Sequence, residues 1–389
     1  MNESLTLREA KSHDIVLSAS ESARLNKLGK ELAGSGSLIT SIQKNANEYT
    51  VEVRDVIGSI SLGDRTLHIQ PKIPMKHLMY IFSEAGAVPR LDSSKVEITR
   101  DTDYASLLIA WFLSSVHKLI KSGLQRDYQQ FEEETVSLQG QLLIPESTIT
   151  YYSGRPYLNC RFDDFVFDNP LNRVIHTALR RIRQIPFLQN EYKKQAGGLL
   201  LEMPPIGNLL VSDLNQRIDR NTQRYSEPFE LAKQIIEGTG RRPDPGEDAS
   251  VGFLFNTFGN VEKGILKILQ NMLTSKLTPK KGTWPLEGGV TLMPDLVFGN
   301  NVSVGDVKYR LYDGSWTRSE VFQLTTYAAE AMCERAVLVG FSEQFLPPHD
   351  LKVGKHTLRL ITWTADEMVD PREEAERVVL EISQFLTND

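Results

Sequence analysis

The sequence predicts a multidomain α+β protein with a β-rich N-terminal domain, a helical middle region and a C-terminal α/β domain. Apolar and polar residues alternate in much of 1–75, as in β-strands. Over 76–237, apolar residues recur mainly at helical spacing. Short apolar strands and amphipathic helices then alternate over 251–389. The length of 389 residues leaves room for two or three domains.

The N-terminal domain, residues 1–75, is predicted to contain a β-hairpin. Residues 59–62 and 66–70 are its arms, and the Gly63-Asp64 pair between them is a turn signal. Upstream, residues 18–32 have helical spacing and begin with serines that can cap a helix. This segment is therefore expected to be mainly β with one helix.

The middle region, residues 76–237, is predicted to be mainly helical. Helical spacing is clearest over 104–120 and 171–182, whereas 136–144 resembles a strand. The segment that follows, 238–250, is dense in glycine, proline and charged residues. That composition predicts a linker before the last domain.

The C-terminal domain, residues 251–389, is predicted to alternate helices with strands. Helices are expected at 260–273, 319–332 and 370–386, and strands at 289–298, 302–309, 335–341 and 357–364. The Gly-Asn-Asn turn at 299–301 joins the first two strands as a hairpin.

The amino-acid composition restricts how this protein can bind DNA, which metal sites it can have and where it is located. The net charge is −6, whereas a protein that binds DNA by phosphate neutralisation alone is usually basic. Two cysteines and seven scattered histidines exclude a disulfide framework and argue against a histidine or cysteine metal site. The polar N-terminus and the absence of a long apolar run predict a cytoplasmic protein with no membrane contact.

The strongest chemical signal lies in the hairpin at 289–309. Asp295 begins one strand, Asp306 follows eleven residues later in the next strand, and Lys308 comes two positions after it. Side chains alternate along a strand, so Asp306 and Lys308 share a face, and the hairpin brings Asp295 beside them. Clustered carboxylates favour a hard divalent cation such as Mg²⁺. The alternative is an ordinary surface ion pair at two strand ends.

Three residues outside the hairpin are candidates for the same site. Glu262 lies at the edge of the apolar face of the helix at 260–273 and is a candidate third metal ligand. The alternative for Glu262 is an ion pair with a lysine of its own helix. Gln323 and Tyr327 are spaced i, i+4 on the helix at 319–332 and project from one face, which we expect to look towards the hairpin.

Taken together, these residues resemble the PD-(D/E)xK nuclease fold over about 250–345. The matching motifs are Glu262, Pro294-Asp295, Asp306-x-Lys308 and Gln323-x-x-x-Tyr327. The resemblance implies a restriction-endonuclease-like domain that hydrolyses DNA with Mg²⁺, or with Mn²⁺ in its place. It implies that Asp295, Asp306 and Glu262 hold the metal and that Lys308 serves the nucleophile.

Most of the chain, from about residue 5 to 345, resembles the McrC family. The shared stretches lie at 56–73, 123–128, 138–140, 159–165 and 168–173. This resemblance implies the endonuclease subunit of a 5-methylcytosine-dependent restriction system used in antiviral defence. It also implies that the N-terminal domain docks on a McrB-like AAA+ GTPase ring and stimulates it, while the complex cuts double-stranded DNA.

Two other functions stay open at this point. One is a non-catalytic adaptor that only regulates a AAA+ ring, and the other is a DNA-repair nuclease of the same fold. The sequence contains no phosphate-binding loop motif, so GTP hydrolysis is expected from the partner. Arg54, Arg65 and Lys72 are candidates for reaching the partner's nucleotide.

A row of arginines on the helix at 171–182 is a further candidate surface. Its members are Arg173, Arg180, Arg181 and Arg183. They are interpreted either as a DNA-facing stripe or, more simply, as a solvated helix face.

Overall fold

A computed structural model describes residues 4–32, 37–62, 65–88, 104–239 and 252–387. The helices are α1 (Ala19–Leu32), α2 (Met75–Glu84), α3 (Tyr104–Ser122), α4 (Ile144–Tyr152), α5 (Pro170–Gln184), α6 (Asn190–Glu202), α7 (Ser226–Gly238), α8 (Phe258–Met272), α9 (Arg318–Glu330) and α10 (Pro371–Thr387). The strands are β1 (Ser4–Arg8), β2 (Ser12–Val16), β3 (Ile39–Gln43), β4 (Glu48–Val53), β5 (Val56–Leu62), β6 (Arg65–Gln70), β7 (Asp127–Thr135), β8 (Gln141–Leu142), β9 (Leu158–Val166), β10 (Gly252–Asn256), β11 (Pro279–Lys280), β12 (Trp284–Pro285), β13 (Thr291–Leu292), β14 (Leu296–Phe298), β15 (Ser303–Leu311), β16 (Arg335–Ser342), β17 (His349–Val353) and β18 (His356–Thr364).

The chain forms two compact units, one drawn from 1–108 and 238–389 and the other from 109–237. This grouping differs from the four segments expected from the sequence, because β10 pairs antiparallel with β5 and so joins the N-terminal sheet. The segments predicted as N-terminal and C-terminal domains therefore share one unit. Of the predicted linker at 238–250, residues from 240 onward lie outside the described residues.

The first part of this unit is β-rich, as expected. The predicted hairpin is present as β5 and β6, in a sheet with the order β1-β6-β5-β10. A second sheet has the order β2-β4-β3. Ser18 caps α1 in a reciprocal arrangement, because its hydroxyl accepts from Glu21 N and the Glu21 carboxylate accepts from Ser18 N. The core packed between these elements includes Leu25, Val51 and Leu67.

The second part of the same unit is built on a six-stranded sheet with the order β11-β14-β15-β16-β18-β17. β15, β16 and β18 run parallel, whereas β14 is antiparallel to β15. The single strand predicted at 289–298 is two short strands, β13 and β14, with Pro294 between them. Proline lacks the N–H that a continuous ladder needs, which accounts for the break.

Helices α8 and α9 both pack against β15. α8 also packs on α2, and the two helices come so close that a Cβ on Gly264 would lie 2.4 Å from Ile81 O. A side chain at this position would force the helices apart. The close contact fixes the position of α8, the helix that carries Glu262.

The other unit contains helices and a small sheet with the order β7-β9-β8. The sequence predicts one strand of this sheet, at 136–144, but not β7, because most of β7 is exposed and glutamate-rich and shows no apolar alternation. Of the strand predicted at 136–144, only β8 forms, and Gly140 has a positive φ of 62° just before it.

The structure is thus a mixed α+β protein with several sheets, as the sequence predicts. In the part of the chain that the structure describes, no helix combines the length and the apolar character needed to cross a bilayer.

Candidate active site

Asp295, Asp306 and Lys308 lie together where β14 meets β15. Asp295 directly precedes β14, and its Oδ2 accepts a hydrogen bond from Val307 N at 3.1 Å. Asp306 and Lys308 project from the same face of β15, and Lys308 Nζ lies 2.5 Å from Asp306 Oδ2. The structure therefore brings together the two carboxylates and the ammonium that the sequence places on neighbouring strands.

Burial dominates the electrostatics of Asp306, which is 2% exposed. Burial raises the pKa of Asp306 to about 7, and the Asp295 carboxylate adds to the rise although the Lys308 ammonium opposes it. Burial by itself would lower the pKa of Lys308, but the Asp306 carboxylate raises it above its ordinary value. Asp306 Oδ2 has no well-angled hydrogen bond, so its contact with Lys308 is an ion pair of poor geometry.

Glu262 reaches the same region from α8 through a second lysine. Lys281 Nζ lies 3.1 Å from Glu262 Oε2 and 3.9 Å from Asp295 Oδ1. Burial raises the pKa of Glu262, and the nearby Asp295 carboxylate raises it further, against the effect of Lys281. The predicted ligand Glu262 is therefore joined to Asp295 by an ammonium in this structure.

Sequence analysis missed Lys281. It follows the two-residue strand β11, and nothing in the sequence separates it from the surface lysines around it. Its position depends on Gly282, whose N–H donates to Pro294 O at 2.9 Å. A Cβ at Gly282 would lie 2.7 Å from Pro294 Cγ, so the close approach of the two segments requires glycine.

Gln323 and Tyr327 lie on α9, on the shared face that their spacing predicts, and contact each other. Gln323 Nε2 donates to Tyr327 Oη at 2.8 Å, and Tyr327 Oη lies 3.5 Å from Met293 O. Burial raises the pKa of Tyr327, and the Asp306 and Asp295 carboxylates add to the rise. The helix thus contacts the segment that leads into Asp295 and faces the acidic pair.

The donor chemistry of the site fits a hard divalent cation better than a soft one. Its candidate ligands are carboxylate oxygens, and Asp306 is a buried acid without a good hydrogen bond at Oδ2. Among the described residues, no three acid, histidine or cysteine side chains approach closely enough to form a complete metal cluster. Asp295 and Asp306 adjoin each other, while Lys281 separates Glu262 from Asp295.

The three residues predicted to reach a partner's nucleotide have different environments. Arg54 has a side chain that is 71% exposed and lies 3.5 Å from Glu52. Arg65 forms a two-pronged contact with Glu21, and Lys72 is buried. Arg54 is thus the most accessible of the three.

The predicted arginine row on α5 does not form one continuous surface. Arg173 donates to Asp213 at 2.9 Å and to Asp168 at 3.2 Å, and Asp213 is buried. Arg181 donates to Ile236 O, whereas Arg180 and Arg183 are exposed. Arg173 is therefore part of an internal ion pair and does not face solvent with Arg180.

Comparison with known proteins identifies one family that matches this chain. The family described as McrBC 5-methylcytosine restriction system component matches the chain over residues 51–339. No curated protein matches the chain significantly in sequence.

Solved structures show the same fold. One match, at 18% identity and a TM-score of 0.69, is a chain in a half-complex from the tetradecameric assembly of Thermococcus gammatolerans McrB AAA+ hexamers with bound McrC. It covers 97% of this chain and 100% of that chain. Another, from the McrBC complex of the same organism, has 17% identity and a TM-score of 0.50, and covers 70% of this chain and 89% of that chain. The chain belongs to the family of McrBC 5-methylcytosine restriction system components, as its resemblance to McrC predicts.

Proposed function

We propose that this chain is the DNA endonuclease subunit of a 5-methylcytosine-dependent restriction system of the McrBC type. The observation that carries the proposal is the convergence of Asp295, Asp306 and Lys308 at the junction of β14 and β15. With α8 and α9 packed against β15, this hairpin and the parallel strands beside it support a PD-(D/E)xK nuclease domain. The expected cofactor is Mg²⁺, with Mn²⁺ as a substitute.

Asp295 and Asp306 are the residues that would hold the metal. A bound divalent ion supplies Lewis-acid polarisation of a phosphate oxygen and lowers the pKa of water at the site. Glu262 is a third candidate ligand, and its Oε2 contacts Lys281 in this structure. The two ammonium groups balance the acidic cluster when no metal is bound, which keeps the carboxylates close together despite their mutual repulsion.

Lys308 is placed to act on the reacting groups. In phosphodiester hydrolysis, a water oxygen bonds to phosphorus and gives up a proton, the bond to one sugar oxygen breaks, and that sugar oxygen takes up a proton. The Lys308 ammonium can donate a hydrogen bond to the attacking water or to a non-bridging phosphate oxygen, where negative charge builds up. Gln323 and Tyr327 hold the segment before Asp295, through the contact of Tyr327 with Met293 O.

The partner in this proposal is a McrB-like AAA+ GTPase ring. Support comes from the matched structures, in which McrB AAA+ hexamers carry bound McrC. A net charge of −6 fits a subunit whose partner contributes much of the grip on double-stranded DNA. The exposed Arg54 is the first candidate for contact with the partner's nucleotide.

A cleavage assay with a matched control tests the proposal. The complex is given GTP, Mg²⁺ and methylated DNA, and both DNA cleavage and GTP hydrolysis are measured. Asp306→Asn is expected to lower cleavage by a factor on the order of 100 or more and to leave GTP hydrolysis at the wild-type rate. Asp350→Asn removes an exposed acid that pairs with Arg359 on β18, and it should leave both activities unchanged. Wild-type cleavage by Asp306→Asn would overturn the proposal.

A further inference from the structure

Glu9 is a fully buried acid that the proposed chemistry does not use. It directly follows β1 and is 0% exposed. Its Oε1 accepts from Thr257 Oγ1 at 2.6 Å, and its Oε2 accepts from Tyr309 Oη at 3.0 Å and from Lys72 N at 3.3 Å. We call these four residues, Glu9, Lys72, Thr257 and Tyr309, the Glu9 cluster.

The members of the Glu9 cluster come from elements that carry the candidate active site and from the N-terminal sheet. Tyr309 is the neighbour of Lys308 on β15, and Thr257 immediately precedes α8, the helix of Glu262. Glu9 and Lys72 follow the adjacent parallel strands β1 and β6. The Glu9 carboxylate therefore joins the edge of the N-terminal sheet to both β15 and α8.

The other members of the cluster donate hydrogen bonds to the Glu9 side chain, as suits a carboxylate. Burial raises the pKa of Glu9, but the Lys72 ammonium and the hydroxyls of Thr257 and Tyr309 oppose that rise. The Lys72 ammonium lies 3.8 Å from the centroid of the Tyr309 ring and 3.2 Å from Asp55 Oδ1. A buried network of this kind holds its members in one arrangement, because a broken contact leaves a polar group without a partner.

The Glu9 cluster contacts β15 from the face opposite the candidate active site. Asp306 and Lys308 project from one face of the strand, so Tyr309 projects from the other. A shift of β15 relative to β1 would therefore move the Asp306 and Lys308 side chains. The tight packing of protein interiors passes such a shift through the strand instead of absorbing it.

We propose that the Glu9 cluster is a positioning device, through which the N-terminal sheet sets the position of Asp306 and Lys308. Glu9 and Tyr309 are its positioning residues and take no part in the bond-breaking step. The inference rests on the proposed nuclease function. It also gives the N-terminal sheet, the part expected to dock on the ring, a direct route to the cutting site.

The test compares two variants that each remove one buried hydroxyl from β15. Tyr309→Phe loses the hydrogen bond to Glu9 and keeps the ring against Lys72. Ser303→Ala is the matched control, because its hydroxyl bonds to Arg335 O and not to the N-terminal sheet. The complex is assayed for cleavage rate, KM for DNA, the Mg²⁺ concentration at half-maximal rate and GTP hydrolysis. The Mg²⁺-induced rise in the melting temperature of the free chain is measured alongside.

Tyr309→Phe is expected to lower the cleavage rate about tenfold and to raise the half-maximal Mg²⁺ concentration several-fold, on the order of tenfold. KM for DNA and GTP hydrolysis should stay at wild-type values, and the Mg²⁺-induced rise in melting temperature should shrink. Ser303→Ala should change none of these quantities more than about twofold, although it also removes a buried, hydrogen-bonded hydroxyl from β15. When Glu9→Gln is added to Tyr309→Phe, the loss of cleavage rate, on a logarithmic scale, should be smaller than the sum of the losses in the two single variants.

Two results would overturn the proposal. One is a wild-type rate and Mg²⁺ requirement for Tyr309→Phe, and the other is an equal loss in Ser303→Ala, which would mean that general destabilisation is the cause. Failure of the nuclease function is distinguishable, because the wild-type complex itself would then not cleave. In that case, an unchanged Mg²⁺-induced rise in melting temperature for Tyr309→Phe would still overturn the positioning role.

Discussion

Asp295 Oδ2 accepts a 3.1 Å hydrogen bond from the backbone N–H of Val307, the residue between Asp306 and Lys308. The acid before β14 is therefore fixed to the peptide that separates the other two groups. Because the donor is a backbone N–H of β15, this bond holds Asp295 beside Asp306 and Lys308 before any metal binds.

The first prediction concerns Mg²⁺ and pH. Asp306 has a pKa of about 7 in the folded chain, above its ordinary value of 3.8. Between these two pKa values, the folded chain therefore binds one more proton than the unfolded chain. The stability that this proton gives the folded chain is present at low pH and is lost as the pH rises through about 7. We expect Mg²⁺ to raise the melting temperature strongly near pH 8. Its affinity near pH 6 should be about tenfold lower, because the protonated acid cannot bind the ion.

Asp306→Asn is the control for this pH effect. It removes the titrating group, so the Mg²⁺-induced rise in melting temperature should become small at every pH. Differential scanning fluorimetry at several pH values measures both chains. If the Mg²⁺ effect were equally large at pH 6 and pH 8 in the wild type, proton competition at Asp306 would be ruled out.

The second prediction concerns the amine of Lys308. Lys308→Met removes the ammonium beside the reacting phosphate, and single-turnover cleavage should fall on the order of 100-fold to 1,000-fold. Lys308→Arg should rescue little, because a planar guanidinium does not match the geometry of a lysine ammonium. The fold should survive, since the Lys308 side chain is 28% exposed. Near-normal cleavage by Lys308→Met would exclude a role for this amine.

The third prediction concerns Lys281, which lies between Glu262 and Asp295. Lys281→Met removes a positive charge that competes with a metal for these acids. The side chain of Lys281 is 55% exposed, so solvent screens the effect. We expect Mg²⁺ to bind about two- to fivefold more tightly, as measured by calorimetric titration. Lys280→Met, at the exposed neighbouring position, should bind Mg²⁺ as the wild type does, and weaker binding by Lys281→Met would contradict the idea of competition.

The fourth prediction separates a structural arginine from a surface arginine on α5. Arg173→Ala leaves the buried Asp213 carboxylate without its ion-pair partner, which should lower the free energy of unfolding by about 2–4 kcal/mol. Arg180→Ala, at an exposed position of the same helix, should change it by less than about 0.5 kcal/mol. Urea unfolding measures both variants. Equal stability of the two would show that the Asp213 contact contributes little.

Much of the site follows from the sequence, because it depends on strand periodicity and on short-range connections. The turn at 299–301 and the spacing of Asp306 and Lys308 are sufficient to predict that three groups converge. The i, i+4 spacing of Gln323 and Tyr327 predicts in the same way that they share a helix face, where they contact each other. Local geometry decides each of these features.

What the sequence does not predict depends on contacts between distant segments. Lys281 reaches Glu262 because Gly282 allows close contact with Pro294, and no periodic pattern encodes that approach. Glu9 lies about 300 positions from Tyr309, so its role depends on the pairing of β1 with β6 and on the packing behind β15. The strand β7 has little apolar alternation, so hydrophobic periodicity gives no signal for it.

We propose that Asp295 and Asp306 together hold a divalent ion for DNA hydrolysis. Titration of Mn²⁺ into the complex with methylated DNA, followed by electron paramagnetic resonance, tests it most directly. We expect bound Mn²⁺ in the wild type and in Asp350→Asn, and an affinity lower by about 100-fold or more in the Asp295→Asn, Asp306→Asn double variant. Equal Mn²⁺ affinity in the wild type and the double variant would contradict it.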